Sequence, residues 1–203
     1  ASHYPYFHPP GLAPHQPEAE EDASLHCGDA TEKRQKAVEV KNRYMNSIRY
    51  VDQLLGRLFD GLAAQGRLRE TVILVTGDHG EEFWEHGRFG HTYGLVREQV
   101  HVAAVLCLPG HQGKSAYQYT SHADFMPTLF EHIGLDIEGP PVMTGKSLLR
   151  HQPDRDHALV AKGVVKNQRN YQYVVVGDGL KVAFNNFGTL RASAVTDLDD
   201  EPI

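Results

Sequence analysis

Residues 71–91 read TVILVTGDHGEEFWEHGRFGH, and this stretch decides the fold. Its first six residues, Thr71 to Thr76, are short, β-branched and apolar, the composition of a strand covered on both faces, as in a parallel sheet between helices. The run stops at Gly77. A loop follows in which Gly77, Gly80, Gly87, Gly90 and Gly94 are interspersed with acids and histidines. Open α/β sheets place their sites in loops that leave the carboxyl ends of strands. A second strand of the same kind is expected from Val102 to Leu108, so the sequence predicts an α/β fold with its chemistry between these two strands.

Upstream, Val40, Tyr44, Ile48, Val51, Leu55, Leu58 and Leu62 recur at steps of three or four. That spacing predicts one long amphipathic helix from about Glu32 to near Gly66, with this stripe as core. Residues 1–32 hold five of the eleven prolines and the acids Glu18, Glu20, Glu21 and Asp22 without any regular period, which reads as a long loop. Downstream, Ser121 with Asp124 three residues later predicts a capped helix start before Phe125, Leu129 and Ile133, with Gly134 as the stop. The tail changes to period two in Tyr171–Val176 and Leu180–Phe184 around Gly177-Asp178-Gly179, a strong hairpin signal. The expected division is residues 1–150 as the sheet-and-helix domain and residues 151–203 as a small antiparallel subdomain.

Composition narrows the class. With 203 residues, 40% of them hydrophobic and 23% charged, the chain can bury one sizeable core. A formal charge of −6 offers no cationic field for nucleic acid. The longest apolar run, Val102–Pro109, is far shorter than the roughly 20 residues of a membrane-spanning helix. Cys27, in a polar loop, and Cys107, in an expected buried strand, have neither zinc-like spacing nor a redox motif. The opening Ala-Ser-His-Tyr-Pro-Tyr has neither an initiator Met nor a signal-peptide pattern, the expectation for a fragment.

The chemistry concentrates in Asp78, His79, Glu81, Glu82, Glu85, His86 and His91, all within fourteen residues. A carboxylate supplies charge and an imidazole a neutral nitrogen, so Asp78 and His79 on one tight turn could share a divalent cation. By composition alone, acid-and-histidine loops are usually just solvated, so spacing must carry the metal reading.

Asp78-His-Gly-Glu, with Glu85-His-Gly seven residues after Asp78, resembles the C-terminal metal motif of sulfatases and their alkaline-phosphatase-superfamily relatives. Further landmarks follow in family order: Val100 to Pro109, Ser121-His-Ala-Asp-Phe-Met-Pro-Thr-Leu, Gly145-Lys-Ser-Leu-Leu and Thr196-Asp-Leu-Asp-Asp-Glu-Pro. Upstream, Asn42 to Asp52 is similar to the family helix that precedes the metal strand, and Ser2-His-Tyr-Pro-Tyr to its His-x-Pro segment. Ala103 departs from the pattern, where a Pro commonly stands.

The resemblance implies Asp78 and His79 as metal ligands. It makes His3 a donor or general acid to the leaving oxygen and His91 a donor to the transferred group. The implied ion is calcium for a sulfatase. It is zinc or manganese for a phosphoethanolamine or phosphoglycerol transferase or a phosphodiesterase, a branch in which His in place of Lys at position 91 is familiar. The implied substrate is a small-molecule, glycan or lipid sulfate or phosphate ester, met outside the cytoplasm in the periplasm or on a membrane-anchored protein. The family's nucleophile and other acidic ligands precede the His-x-Pro segment and have no counterpart here, so this chain alone is expected not to turn over substrate. The rival reading is a noncatalytic sulfatase-like domain that binds lipid head groups or a protein partner.

Simpler roles stand beside these. On the residues alone His3 reads as a solvated loop residue, and only the resemblance of its segment assigns it chemistry. His86 is either a substrate-contacting or orienting group or a turn hydrogen-bonder. Glu81 and Glu82 either tune the site or face solvent, Trp84 and Phe89 read as loop packing, and His8, His15, His101, His122, His132 and His157 as structural or solvated.

Overall fold

The computed structural model describes residues 3–20, 28–91, 94–111, 119–135, 144–150, 157–163, 171–186 and 190–202. Cys27 and Ser2 lie outside them. The chain forms two units, Ala1–Tyr93 with Ala103–Pro109, and Gly94–Val102 with Gly110–Ile203.

The first unit is built on helix α1, Ala30–Ala64. Asp29 starts it: its carboxylate accepts the Thr31 and Glu32 N–H groups at 2.8 and 3.0 Å, while Glu32 reaches back to the Asp29 N–H at 2.8 Å. This reciprocal cap satisfies donors that a helix start leaves open. The N-terminal half of α1 carries the core, where Val40 packs with Tyr6, Ala19 and Phe83, and Tyr44 lies against them.

Residues 3–20 have no regular structure and are held to α1 by polar side chains. Asn42 donates to the Pro17 carbonyl at 2.7 Å, and Arg43 to the Pro5 and Ala19 carbonyls at 2.8 and 3.3 Å. Asn46 is fully buried and bonds both the N–H and the C=O of His15, each at 3.1 Å, as well as the Glu18 carboxylate. Buried amides are tolerated when so completely bonded. His8, expected to be structural, pairs with Glu18 at 2.8 Å.

The stripe from Val40 to Leu62 is not core throughout. Ile48 and Leu58 are exposed, so periodicity correctly identified a helix but overstated its burial. Among the described residues, the buried positions of α1 are Ala37, Val40, Asn46 and Ser47, none beyond its midpoint.

Four short strands complete the unit: β1 Ile73–Thr76, β2 Glu82–Phe83, β3 Phe89–Gly90 and β4 Ala104–Cys107. Strand β1 pairs with β4 antiparallel, from Ile73↔Cys107 to Thr76↔Ala104, where the composition predicted a parallel covered pair. Both strands occur where expected; their direction and burial differ. Val105 and Cys107 are exposed, which corrects the expectation of a buried thiol. β-Branched runs report strand propensity, whereas direction is set by the path of the chain between strands.

In the second unit, helix α2, Phe125–His132, follows a single turn at 122–124, as the capping signal predicted. Asp124, buried, accepts the Ser121 N–H at 2.7 Å and the Lys146 N–H at 3.0 Å. Thr128 accepts the Leu148 N–H at 2.9 Å, so one side chain of the turn and one of the helix fasten the Gly-Lys-Ser-Leu segment. Gly145 is required there, because a Cβ would lie 1.9 Å from the Ala123 carbonyl oxygen. The tail is a four-stranded antiparallel sheet in sequential order, β5 His157–Gly163, β6 Tyr171–Gly177, β7 Leu180–Asn186 and β8 Leu190–Asp197. The β6–β7 hairpin turns on Asp178 and Gly179, both at positive φ, the geometry that Asp-Gly supplies in a two-residue turn. No described helix is long and apolar enough to cross a membrane.

Candidate functional site

The site belongs to the first unit and starts where β1 ends. Asp78 projects from the turn with its side chain 91% exposed. Its carboxyl is held below the ordinary carboxylate value, first by its own backbone N–H, with His79 and His91 adding and slight burial opposing. The His79 N–H donates to Asp78 Oδ1 at 3.1 Å.

The His79 ring is oriented by one bond. Nδ1 lies 2.9 Å from the Gly80 carbonyl, which can only accept, so Nδ1 carries the proton and Nε2 keeps its lone pair. Nε2 is 3.7 Å from Asp78 Oδ2. That separation is less than twice a metal–ligand distance of about 2.0–2.2 Å, so one ion fits between the two atoms. Backbone carbonyls commonly fix metal-binding imidazoles through the opposite nitrogen, so the donor set and its orientation suit a divalent cation.

A hairpin brings the next histidine back to this turn. Strands β2 and β3 pair as Glu82↔Gly90 and Phe83↔Phe89. One step further along the same register, Glu81 stands beside His91, and His91 Nδ1 lies 3.1 Å from Glu81 Oε1. The His91 ring stacks on that of His79 with centroids 3.8 Å apart and planes at 27°. His3 completes the group from the N-terminal loop, edge-on to His91 with centroids 5.6 Å apart. Its Nδ1 lies 2.8 Å from the Tyr4 carbonyl, which again leaves Nε2 as the outward nitrogen. The Asp78-His79 pair, His91 and His3, from three separate segments, are therefore neighbours.

His86 occupies the hairpin turn instead. Its N–H, and that of Arg88, donate to the buried Glu82 carboxylate at 3.1 and 3.2 Å. Its ring is exposed and lies outside the stacked group of imidazoles. Trp84 and Phe89 pack on each other at 5.4 Å, as loop packing requires, with Lys33 over the Trp84 ring at 5.5 Å.

Sequence reasoning overlooked Tyr6. Its ring is buried among Tyr4, Tyr44 and Phe83, and its hydroxyl donates to Glu81. Burial, followed by the Glu81 charge, pushes the phenol far above its usual value, so it stays neutral. Tyr44 is shifted the same way by the same two causes. The available signal was the aromatic Tyr4-Pro-Tyr6 placed directly after His3.

A family model described as sulfatase matches residues 1–135. The chain is 32% identical over 114 residues to the multifunctional alkaline phosphatase superfamily protein PehA of Trinickia caryophylli, covering 55% of this chain and 22% of that protein. It is 29% identical over 123 residues to arylsulfatase K of Bos taurus, covering 60% and 22%. The chain thus spans about a fifth of the curated relatives it matches. The phosphonate monoester hydrolase of Agrobacterium radiobacter has a similar fold, with a TM-score of 0.69 at 24% identity over 81% of this chain and 36% of that one. This likeness supports the α/β class, and the match across both the helix and the histidine-rich turn establishes that the chain belongs to the sulfatase family.

Proposed function

We propose that the whole protein is a metal-dependent sulfuric ester hydrolase, with Asp78 and His79 supplying two of its metal ligands. The observation that carries this reading is the separation of Asp78 Oδ2 and His79 Nε2 by 3.7 Å, with the other His79 nitrogen committed to the Gly80 carbonyl. Two donors make part of a coordination shell; the nucleophile and the remaining ligands are assigned to sequence outside these residues. A divalent ion, calcium in this reading, would polarise the ester oxygens and the nucleophile.

The chain's own residues do the rest. With its Nδ1–H held by Glu81, His91 donates to the oxygens of the transferred group through a second proton on Nε2 as charge builds there. His3, with Nδ1–H given to Tyr4, delivers a second proton from Nε2 to the departing alcohol. His86, on the exposed hairpin turn, meets the substrate at the rim. The ester is a small-molecule, glycan or lipid sulfate, encountered outside the cytoplasm.

A phosphoester reading has its own support. His79 brings a nitrogen donor and His91 stands where many sulfatases carry Lys, both suited to zinc or manganese chemistry on phosphodiesters or phosphoglycerol groups. The test is hydrolysis of matched aryl sulfate and aryl phosphodiester substrates by the full-length protein, with Asp78→Ala as control and metal content measured in both. Sulfate preference with metal lost in the variant supports the first reading. Phosphodiester preference moves the protein to the second, and equal metal content in wild type and variant defeats the ligand assignment.

A further inference from the structure

We propose that Glu81 is the positioning residue of this site: its carboxylate fixes the ring plane and tautomer of His91, and Tyr6 in turn fixes Glu81. The proposal rests on the assignment of His91 to the transferred group. The pair Glu82↔Gly90 leaves Glu81 and His91 side by side at the open end of β2 and β3, and Gly90 makes the final bend with φ 94°. Neighbouring residues in extended chain point to opposite faces, so the two adjacent acids part company. Glu82 accepts backbone N–H groups, whereas Glu81 turns to side chains.

The Glu81 side chain is 8% exposed and that of His91 25%. A carboxylate can only accept, so the 3.1 Å contact makes Nδ1 of His91 the donor and Nε2 the nitrogen through which this ring acts on substrate. Rotation of the ring is limited on one side by His79, stacked at 3.8 Å. Tyr6 holds the carboxylate from the opposite direction. Its hydroxyl donates to Glu81 from a ring only 2% exposed, and it belongs to the segment that carries His3. One buried carboxylate thereby ties together the two histidines assigned to substrate.

The test uses full-length protein labelled with 15N-histidine, with His91 assigned through His91→Asn. In substrate-free wild type the neutral His91 ring is expected as the Nδ1–H tautomer. Glu81→Gln is nearly isosteric, but its amide can donate as well as accept and so lifts the constraint. The Nε2–H form should then appear, and kcat should fall about 10- to 100-fold with KM little changed, the usual scale for groups that orient a site. Tyr6→Phe should lower kcat about 3- to 10-fold, the scale of one hydrogen bond. An unchanged His91 tautomer in Glu81→Gln overturns the proposal, as does a raised KM with kcat intact. If wild type turns over neither ester, the functional reading fails while the tautomer measurement still decides this one. If Glu81→Gln does not fold, Tyr6→Phe gives the same readout on the other side of the carboxylate: loss of the Nδ1–H tautomer supports the proposal and its retention overturns it.

Discussion

The turn at 77–81 and the hairpin at 82–90 are built from the same residue types and do opposite work. In the turn, Asp78 and His79 are exposed, and each is oriented chiefly by a bond to its own or an adjacent backbone. In the hairpin, Glu82 is 1% exposed and spends its carboxylate on two backbone N–H groups. The contrast teaches that an acid beside a site is read from what it accepts. A carboxylate committed to amides holds the frame, and one left to solvent or side chains is available for chemistry.

The sharpest way to break this contrast is Asp78→Ala in the full-length protein. Turnover should fall by about 10^3 or more, the scale of losing several kcal/mol of charge stabilisation, while folding stability stays within about 0.5 kcal/mol for so exposed a residue. Glu82→Ala should do the reverse. It leaves two hairpin N–H groups without their acceptor and should cost about 2–4 kcal/mol, read by denaturant unfolding and by faster hydrogen exchange at the His86 and Arg88 amides. Loss of turnover without loss of stability in that variant would erase the distinction between the two acids.

Tyr6→Phe is a finer test, expected to cost about 1–2 kcal/mol by removing a bond to a buried carboxylate. Its pH signature has a definite sign. The folded phenol titrates above its unfolded value of 10.0, so its contribution is fully present below pH 10.0 and is lost as the unfolded chain ionises above that. Wild type should therefore lose stability at high pH more steeply than the Phe variant.

Lys41→Met is the smallest. The Lys41–Glu85 pair is 3.0 Å long but half exposed on the lysine side, so its loss should cost less than about 1 kcal/mol. Burial raises the Glu85 carboxyl, but the Lys41 and backbone hydrogen bonds outweigh it and lower the net value. The pair's contribution is thus present above the unfolded carboxylate range and disappears as pH falls through the folded value.

Much of this was legible in the residues themselves. Ser121 with Asp124, and Asp178-Gly179, mark local structure whose hydrogen bonds close within a few residues, and that capped start and the hairpin stand as predicted. The adjacency of Asp78 and His79 was visible for the same reason. The Tyr6–Glu81 bond was not, because it joins segments far apart in sequence and no local pattern encodes it. Nor was the antiparallel pairing of β1 with β4, since β-branched runs look alike in either direction. The stripe on α1 shows the third kind of blindness: spacing at Ile48 and Leu58 reports an amphipathic helix without saying how far its cover extends.

Helix α1 grips the loop that carries His3 largely through the loop's carbonyls, at Pro5, His15, Pro17 and Ala19. Every residue type has a carbonyl. Much of the information that seats the loop is therefore written in Asn42, Arg43 and Asn46, and loop side chains other than the core Tyr6 and Ala19 and the bonded His8 and Glu18 are released from that duty. Drift in residues 9–14 can reshape the loop's surface across generations without unseating the histidine, whereas a single change at Arg43 releases two anchors at once.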